Sequence, residues 1–396
     1  MSFTADLHLH SRYAYACSKQ LTLANIAAWS KLKGIGLLSS ADFTHPAWLA
    51  ELEENLQPTP GGDGFEFDDV RFVLGTKISC VYKQGGGSRR VHLLVYAPDF
   101  DTVRGICGML TGLNAKLNGD GRPTVGASAR DLTARLLDIN PACMVVPAHI
   151  WTPWYGMLGF KSGFDSLEEC FVDMTPHIHA VETGLSSDPE MNWRVPALAG
   201  KTIVSFSDAH SLPNMGRELT VFQGDSGYQA LSAALKGNGV ERTLEFFPEK
   251  GKYHLTGHRK CGITQTPDET RQTGTRCPKC GRPLTLGVLH RVEALSGGQK
   301  PQINGSRSPS TRLVPLVELL AQTLDKGRGT KSVELAYRRI CSELDGDVQV
   351  LTQAGFDDLQ QVGGEALAAA VTKVRNGQVQ IVPGFDGQYG TISAAC

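Results

Sequence analysis

The sequence contains no apolar run approaching the roughly 18 residues that a helical membrane span needs. Its first residues, Met1 to His10, carry neither a basic n-region nor an apolar h-region, so no secretory leader is expected and the chain is read as cytoplasmic. An excess of charge of one sign is also missing. The formal net charge is −1, and nothing global announces a nucleic-acid binder. Closely spaced cysteine pairs are scarce: Cys17, Cys80, Cys107, Cys143, Cys170, Cys341 and Cys396 stand apart from one another. In a chain without an export signal these are reduced thiols, several of them core residues, rather than a disulfide framework. No internal repeat is evident.

What is present is apolar material for a sizeable core. Of 396 residues, 41% are hydrophobic, and a chain of that length favours more than one domain. Up to about residue 250, short apolar runs alternate with amphipathic segments. Strands are expected at Phe3–Leu9, Ile35–Ser39, Arg71–Cys80, Val91–Tyr96, Cys143–Pro147, Ala180–Glu182 and Thr202–Phe206. Helices are expected at Leu23–Lys33, from Ser128 (where Asp131 resembles a capping box), at Leu167–Met174 and at Tyr228–Lys236. Strand–helix–strand alternation argues for a parallel α/β layer or barrel.

The charge balance is uneven along the chain. Between residues 251 and 312 the bases Lys252, Arg259, Lys260, Arg271, Arg276, Lys279, Arg282, Arg291, Lys300, Arg307 and Arg312 face only Asp268, Glu269 and Glu293. Such a segment is either an electrostatic footprint for phosphate backbones or an ordinary solvated surface. The Gly-, Ser- and Pro-rich stretch Ser296 to Ser310 reads as a linker or loop. Helical patterns follow at Leu313–Leu324, Val333–Leu344 and Glu365–Arg375, then a short strand at Val379–Val382. The expected division is 1–250, 251–298 and 299–396.

The strongest chemical signal opens the chain. In the run Phe3 to His10, period two places Phe3, Ala5, Leu7 and Leu9 on one face and Asp6, His8 and His10 on the other. Imidazoles and carboxylates together suit Zn²⁺, Mn²⁺ or Fe²⁺. A lone His-x-His is weak evidence, but partners recur: Asp42 and His45 after the strand from Ile35, His92 within Val91–Tyr96, His149 just after Cys143–Pro147, and Asp208 and His210 after Thr202–Phe206. In α/β barrels functional residues gather at the C-terminal ends of the strands, so this set is read as a catalytic metal centre.

Three features of that set resemble the polymerase and histidinol phosphatase (PHP) phosphoesterase superfamily: His-x-His at the first strand, Asp after the second and Asp-x-His near the end. More narrowly, the chain is similar to the endonuclease Q family through Ala41-Asp42-Phe43-Thr44-His45-Pro46, Glu182-Thr183-Gly184-Leu185-Ser186-Ser187-Asp188, Met191-Asn192-Trp193-Arg194, Ser207-Asp208-Ala209-His210-Ser211 and Gly216-Arg217-Glu218. The resemblance implies an α/β fold: a distorted (β/α)7 PHP-type barrel, then a small zinc-knuckle module and a mostly helical C-terminal domain. It further implies two or three divalent ions (Zn, Mn or Mg) and hydrolysis of DNA, double- or single-stranded, on the 5′ side of deaminated bases (uracil, hypoxanthine, xanthine) or abasic sites. The active-site set it implies is His8, His10, Asp42, His45, His92, His149, Asp208 and His210.

One position departs from the pattern. Where a glutamate bridging two ions is expected, the sequence reads Gly75-Thr76-Lys77. An ammonium within about 4 Å of two dications is strongly repelled at any interior dielectric. Lys77 is therefore carbamylated and a ligand, or turned away, or the mark of a weakened or inactive centre.

His258-x-x-Cys261 and Cys277-x-x-Cys280 form two knuckles. Three thiolates and one imidazole close a tetrahedral structural zinc site, with His254 competing for the fourth position and His290 more remote. The loop after His149 holds Trp151, Trp154 and Tyr155, which stack on a displaced base or simply pack. Arg194 and Arg217 either contact phosphates or form salt bridges. Glu182 faces the site or a neighbouring strand. Gly85-Gly86-Gly87 is a hairpin turn with Arg89 and Arg90 exposed, not a phosphate cradle. Two rivals accompany the endonuclease reading: a phosphatase for small monoesters, and a DNA-binding form with a decayed centre.

Overall fold

A computed structural model of the chain describes residues 2–237, 239–298 and 307–394. Most of the expected linker, together with Lys300 and Cys396, lies outside the described residues.

The wall of the N-terminal barrel runs through seven neighbouring strands. In spatial order these are Val240–Phe246, Leu219–Gln223, Ser2–Asp6, Leu37–Ser39, Val70–Gln84, Gly87–Ala97 and Met144–Pro147. Ser2–Asp6 pairs in parallel with Leu37–Ser39, which pairs in parallel with the start of Val70–Gln84. The remaining neighbours are antiparallel. A separate parallel pair, Ala180–Glu182 with Thr202–Val204, fills the gap. Single hydrogen bonds close the ring there: Ile150 N–H to the Glu182 carbonyl at 3.0 Å and Ala209 N–H to the His8 carbonyl at 3.3 Å. The barrel is distorted because these are point contacts rather than ladders.

Helices pack outside. Leu23–Lys33 starts at Thr22, whose hydroxyl accepts from Asn25 N–H, and ends at Gly34 with φ 73°, a left-handed stop that glycine adopts without steric cost. Ala129–Ile139 is capped by Ser128. The expected helix at Leu167–Met174 is split: an α-turn Leu167–Phe171 gives way to a 3₁₀ turn Val172–His177. Two barrel strands, Leu219–Gln223 and Val240–Phe246, and the helices Pro46–Asn55 and Phe100–Gly112 were not read from the pattern.

At the Gly85-Gly86 turn both glycines have positive φ, 60° and 75°, which suits a two-residue hairpin loop. Arg89 and Arg90, however, are half-buried rather than exposed, their guanidinium groups lying over Phe164 and Tyr155.

The knuckle module is built from a hairpin, Thr256–His258 with Ile263–Gln265, and the helices Pro267–Thr273 and Val288–Ser296. After it, Ser310–Leu313 is not the start of a helix but a strand. It adds in parallel to Val240–Phe246 and extends the sheet at that edge. Helices then occupy Leu316–Thr323, Lys331–Glu343, Asp347–Thr352, Phe356–Gly363 and Glu365–Arg375. A terminal hairpin, Gln380–Val382 with Thr391–Ser393, folds back. Its loop touches the knuckle, where Asp386 accepts from Arg259 N–H and from the Thr285 hydroxyl, both at 2.6 Å. Among the described residues no helix is long and apolar enough to cross a membrane.

Candidate active site

The chain turns sharply where strands end, and the site residues stand at those turns. Asp42, His149 and Asp208 have φ of 40°, 32° and 45°, a region that costs a residue with a Cβ roughly 1–2 kcal/mol. Such strain persists only where surrounding contacts over-determine it, and here they do. A Cβ on Gly121 would stand 2.6 Å from the Asp42 carboxylate, and one on Gly184 2.5 Å from His149 Cβ. Both glycines are therefore required for close approach.

Two buried carboxylates orient the first two histidines. Glu182 accepts from His8 Nδ1 at 2.8 Å and from His149 N–H at 2.6 Å. Asp42 accepts from His10 Nδ1 at 3.1 Å and from Ser11 N–H at 2.6 Å. Both rings thereby turn their Nε2 atoms inward, toward Asp208 Oδ1 at 2.9 Å for His8 and 3.0 Å for His10. The His8 Nε2 contact does not meet hydrogen-bond geometry, so this buried nitrogen has no hydrogen-bond partner.

Nitrogen lone pairs converging on a carboxylate, each ring held from behind by an acid, are what a divalent cation requires. His8, His10 and Asp208 offer donor atoms within 4.8 Å of one another, so the residues fit an ion. Asp6, although on the ligand face of the sequence pattern, is used otherwise. It is fully buried and accepts from Ser207 N–H at 3.0 Å and Gly216 N–H at 2.8 Å, fixing the loop that carries Asp208.

Lys77 points inward. Its Nζ lies 2.8 Å from Asp208 Oδ1, and the side chain is buried. Burial would raise the Asp208 carboxyl, but the Lys77 ammonium, followed by His8 and His10, holds it well below the usual carboxylate range. His92 Nδ1 and His149 Nε2 face each other at 3.2 Å. Burial, followed by the Lys77 charge, pushes both below the ordinary imidazole range, His149 to about 3. Both rings are neutral at physiological pH. His210 is likewise lowered, to about 4, chiefly by burial. Its Nδ1 bonds the Asp208 carbonyl at 2.8 Å and its Nε2 accepts from Arg122 at 3.3 Å. His45 stands off from the cluster: its ring stacks on Tyr13 with centroids 4.3 Å apart.

The proposed substrate contacts divide. Trp151 is a correction, because it is buried and its indole N–H donates to Asn192 at 2.8 Å, leaving no face for a base. Arg194 is half-buried and pairs with Glu293 at 3.6 Å, on the knuckle helix, which is the salt-bridge alternative of its reading. Arg217 donates to the Ser207 carbonyl at 2.8 Å, which places it under the Asp208 loop rather than at the mouth. Trp154 is exposed and Tyr155 half-buried, the latter lying against the His92 ring with centroids 4.3 Å apart and planes tilted by 31°.

Arg122 was missed by sequence reading. It is half-buried at the mouth, bound to Asp120, the Tyr15 carbonyl and His210. The Gly119-Asp120-Gly121 turn signal in front of it was the available clue. In the knuckle, His258, Cys261, Cys277 and Cys280 lie within 4.8 Å of one another, with His258 Nδ1 3.5 Å from Cys280 Sγ. Among the described residues neither His254 nor His290 joins that group.

Fold and site together define an α/β-barrel protein with an imidazole–carboxylate centre fitted to a metal ion, followed by a Cys/His knuckle and a helical segment. Residues 315–378 match the MJ0043 C-terminal domain family. The MJ0043 protein of Methanocaldococcus jannaschii is 34% identical over 251 residues, which is 61% of this chain but 31% of that protein. YqxK of Bacillus subtilis is 28% identical, with 98% of both chains covered. The crystal structure of PfuEndoQ, a lesion-specific endonuclease of Pyrococcus furiosus, matches with a TM-score of 0.87 and 32% identity, covering 99% of this chain and 95% of that one. A second endonuclease Q structure, solved with a 27-mer duplex bearing an abasic lesion at its active site, matches with the same score and identity and is 96% covered. The chain belongs to the endonuclease Q family.

Proposed function

We propose that this chain is a metal-dependent DNA-repair endonuclease that hydrolyses the phosphodiester on the 5′ side of deaminated bases (uracil, hypoxanthine, xanthine) or abasic sites, and that it acts in the cytoplasm. The observation that carries this reading is the convergence of His8 Nε2, His10 Nε2 and Asp208 Oδ1, in a chain colinear with an endonuclease Q bound to abasic DNA. His8, His10 and Asp208 would hold a divalent ion, which when bound would lower the pKa of a bound water and act as a Lewis acid for the phosphoryl oxygen.

The chain's own groups do the rest. Arg122 presents a guanidinium beside His210 for a non-bridging phosphate oxygen. Tyr155 and Trp154 form an aromatic rim on which a displaced base stacks. The exposed Arg259, Lys260, Arg276, Lys279 and Arg282 line the knuckle and meet the backbone of the duplex. His258, Cys261, Cys277 and Cys280 would hold a structural zinc that stabilises the fold of this module. The working division into a catalytic part (1–250), a knuckle (251–298) and a DNA-contacting helical part (299–396) follows the same reading.

The test is cleavage of end-labelled duplexes carrying one deoxyuridine or one abasic site, with Mn²⁺ or Mg²⁺. A single metal-dependent nick 5′ to the lesion is expected. Hydrolysis of a small phosphate monoester with no nick in either duplex overturns the reading in favour of a phosphatase.

A further inference from the structure

We infer that Lys77 is a resident cation of the active centre: its ammonium takes the place of a second metal ion, and the centre holds one ion, on His8, His10 and Asp208. This rests on reading the centre as metal-dependent and concerns how many ions it accepts.

Position comes first. Lys77 is internal to the Val70–Gln84 strand, opposite Leu94 in the ladder with Gly87–Ala97, and two residues from Ser79, which lies opposite His92. Period two therefore gives Lys77 and His92 the same face. The neighbour on the other face, Ile78, is fully buried in the core. Turning Lys77 away would need a one-residue slip of a strand paired on both sides, which would push Ile78 into the polar centre.

Charge comes next. The acids around the centre are Asp6, Asp42, Glu182 and Asp208, and three are occupied by donors behind it. Asp6 takes two backbone N–H groups, while Asp42 and Glu182 take one histidine Nδ1 and one backbone N–H each. Only Asp208 turns an oxygen toward the inward nitrogens. That same atom, Oδ1, lies 2.8 Å from Lys77 Nζ. One carboxylate thus faces one ammonium and one ion, and no acid is left to offset a second dication, which the ammonium repels.

The remaining nitrogens agree. His92 Nδ1 and His149 Nε2 are 3.2 Å apart and share one hydrogen bond, and His149 Nδ1 meets the Thr152 hydroxyl at 3.0 Å. Among the described residues of the barrel, His8, His10 and Asp208 form the sole group of three or more His, Cys, Asp or Glu whose donor atoms all come within 4.8 Å of one another. In this arrangement Lys77 is a positioning residue for Asp208 and a fixed positive charge beside the reacting phosphate, where a second ion would otherwise stand.

The experiment counts ions. The full chain is loaded with Mn²⁺ or Zn²⁺, freed of excess metal and analysed by inductively coupled plasma mass spectrometry. A His8→Ala/His10→Ala variant gives the knuckle's share, and intact-mass spectrometry reads the state of Lys77. The expected result is one ion beyond the knuckle's, an unmodified mass, and a gain of one further ion in Lys77→Glu. Two or more ions beyond the knuckle's in the unsubstituted chain overturn the inference. So does a mass raised by one carbon dioxide, since a carbamate would bridge two ions. The two overturning readouts need no folded variant at position 77 and no nuclease activity. A one-ion chain that does not nick lesion DNA keeps Lys77's role and removes the endonuclease reading, and a two-ion chain that nicks does the reverse.

Discussion

Glu182 and Asp42 stand behind the histidines of the centre, and the orientation they impose bears on how well it can hold an ion. Each removes the freedom of one imidazole by accepting from its Nδ1, so the lone pair on Nε2 is aimed inward before any ligand arrives. Partners of this kind typically change metal affinity about 10–100-fold when replaced. Glu182→Gln keeps the volume but weakens the acceptor for His8 and for His149 N–H. Metal affinity, read by competition with a chelating dye, is expected to fall about 10–100-fold with the fold retained. An unchanged affinity would show that His8 is oriented by other means. Gly121→Ala tests the same geometry from outside. Its methyl would stand 2.6 Å from Asp42 Oδ2, so activity on lesion DNA should drop with a smaller change in thermal stability, because the loop shifts while the core stays intact.

At the scale of elements, what could be read from the sequence followed periodicity. The ligand face of the first strand, the helices Leu23–Lys33, Tyr228–Lys236 and Glu365–Arg375, and the knuckle spacing were legible because each repeats a pattern within a few residues. The strands Leu219–Gln223 and Val240–Phe246 were not, since the polar residues Thr220, Thr243 and Glu245 interrupt their apolar runs. These residues are buried in a polar seam. The Ser205 hydroxyl donates to Glu245 at 2.5 Å, and Thr220 exchanges bonds with the Ser205 backbone. Nor could sequence tell that Trp151 and Arg194 face inward contacts, because burial depends on partners distant in the chain.

The seam carries a pH prediction. Burial pushes the Glu245 carboxyl up to about 8 from 4.5, and Glu218 rises well above its ordinary value through burial and the Glu245 charge. The folded chain keeps protons that the unfolded chain releases above about 4.5. This contribution is therefore full below that pH, declines as pH rises toward about 8 and levels off above it. Glu245→Gln should flatten the fall of Tm across this window; an unchanged slope would place the titration elsewhere. The knuckle gives a second test at this scale. If the knuckle holds zinc as proposed, Cys277→Ser should lower the zinc bound per chain and open residues 256–285 to proteolysis, while the barrel keeps its melting transition.

For the whole molecule the question is how a helical C-terminal segment keeps a fixed place on the barrel. Three joints do this. Ser310–Leu313 extends the barrel wall in parallel with Val240–Phe246, Arg312 pairs with Asp188 at 2.6 Å, and a buried ion pair binds the first barrel helix to the helical segment. In that pair Lys33 Nζ meets Asp347 Oδ2 at 2.9 Å, and the Tyr337 hydroxyl donates to the same oxygen at 2.9 Å. Lys33 is 3% exposed, so water cannot replace a lost partner.

Removing one member of such a pair typically costs about 3–5 kcal/mol, because the other is left charged in a poor solvent. Lys33→Met should therefore lower stability to chemical denaturation by about that much, and loosen the helical segment as seen by hydrogen exchange across Lys331–Thr352. Lys33→Met/Asp347→Leu removes both charges and should recover most of the loss, since a buried pair gains little over well-packed apolar groups. Recovery of stability with weakened binding to lesion DNA would mean that the pair sets the orientation of the helical segment. Failure to recover stability would instead assign its role to the Tyr337–Asp347 hydrogen bond, which the double substitution also deletes.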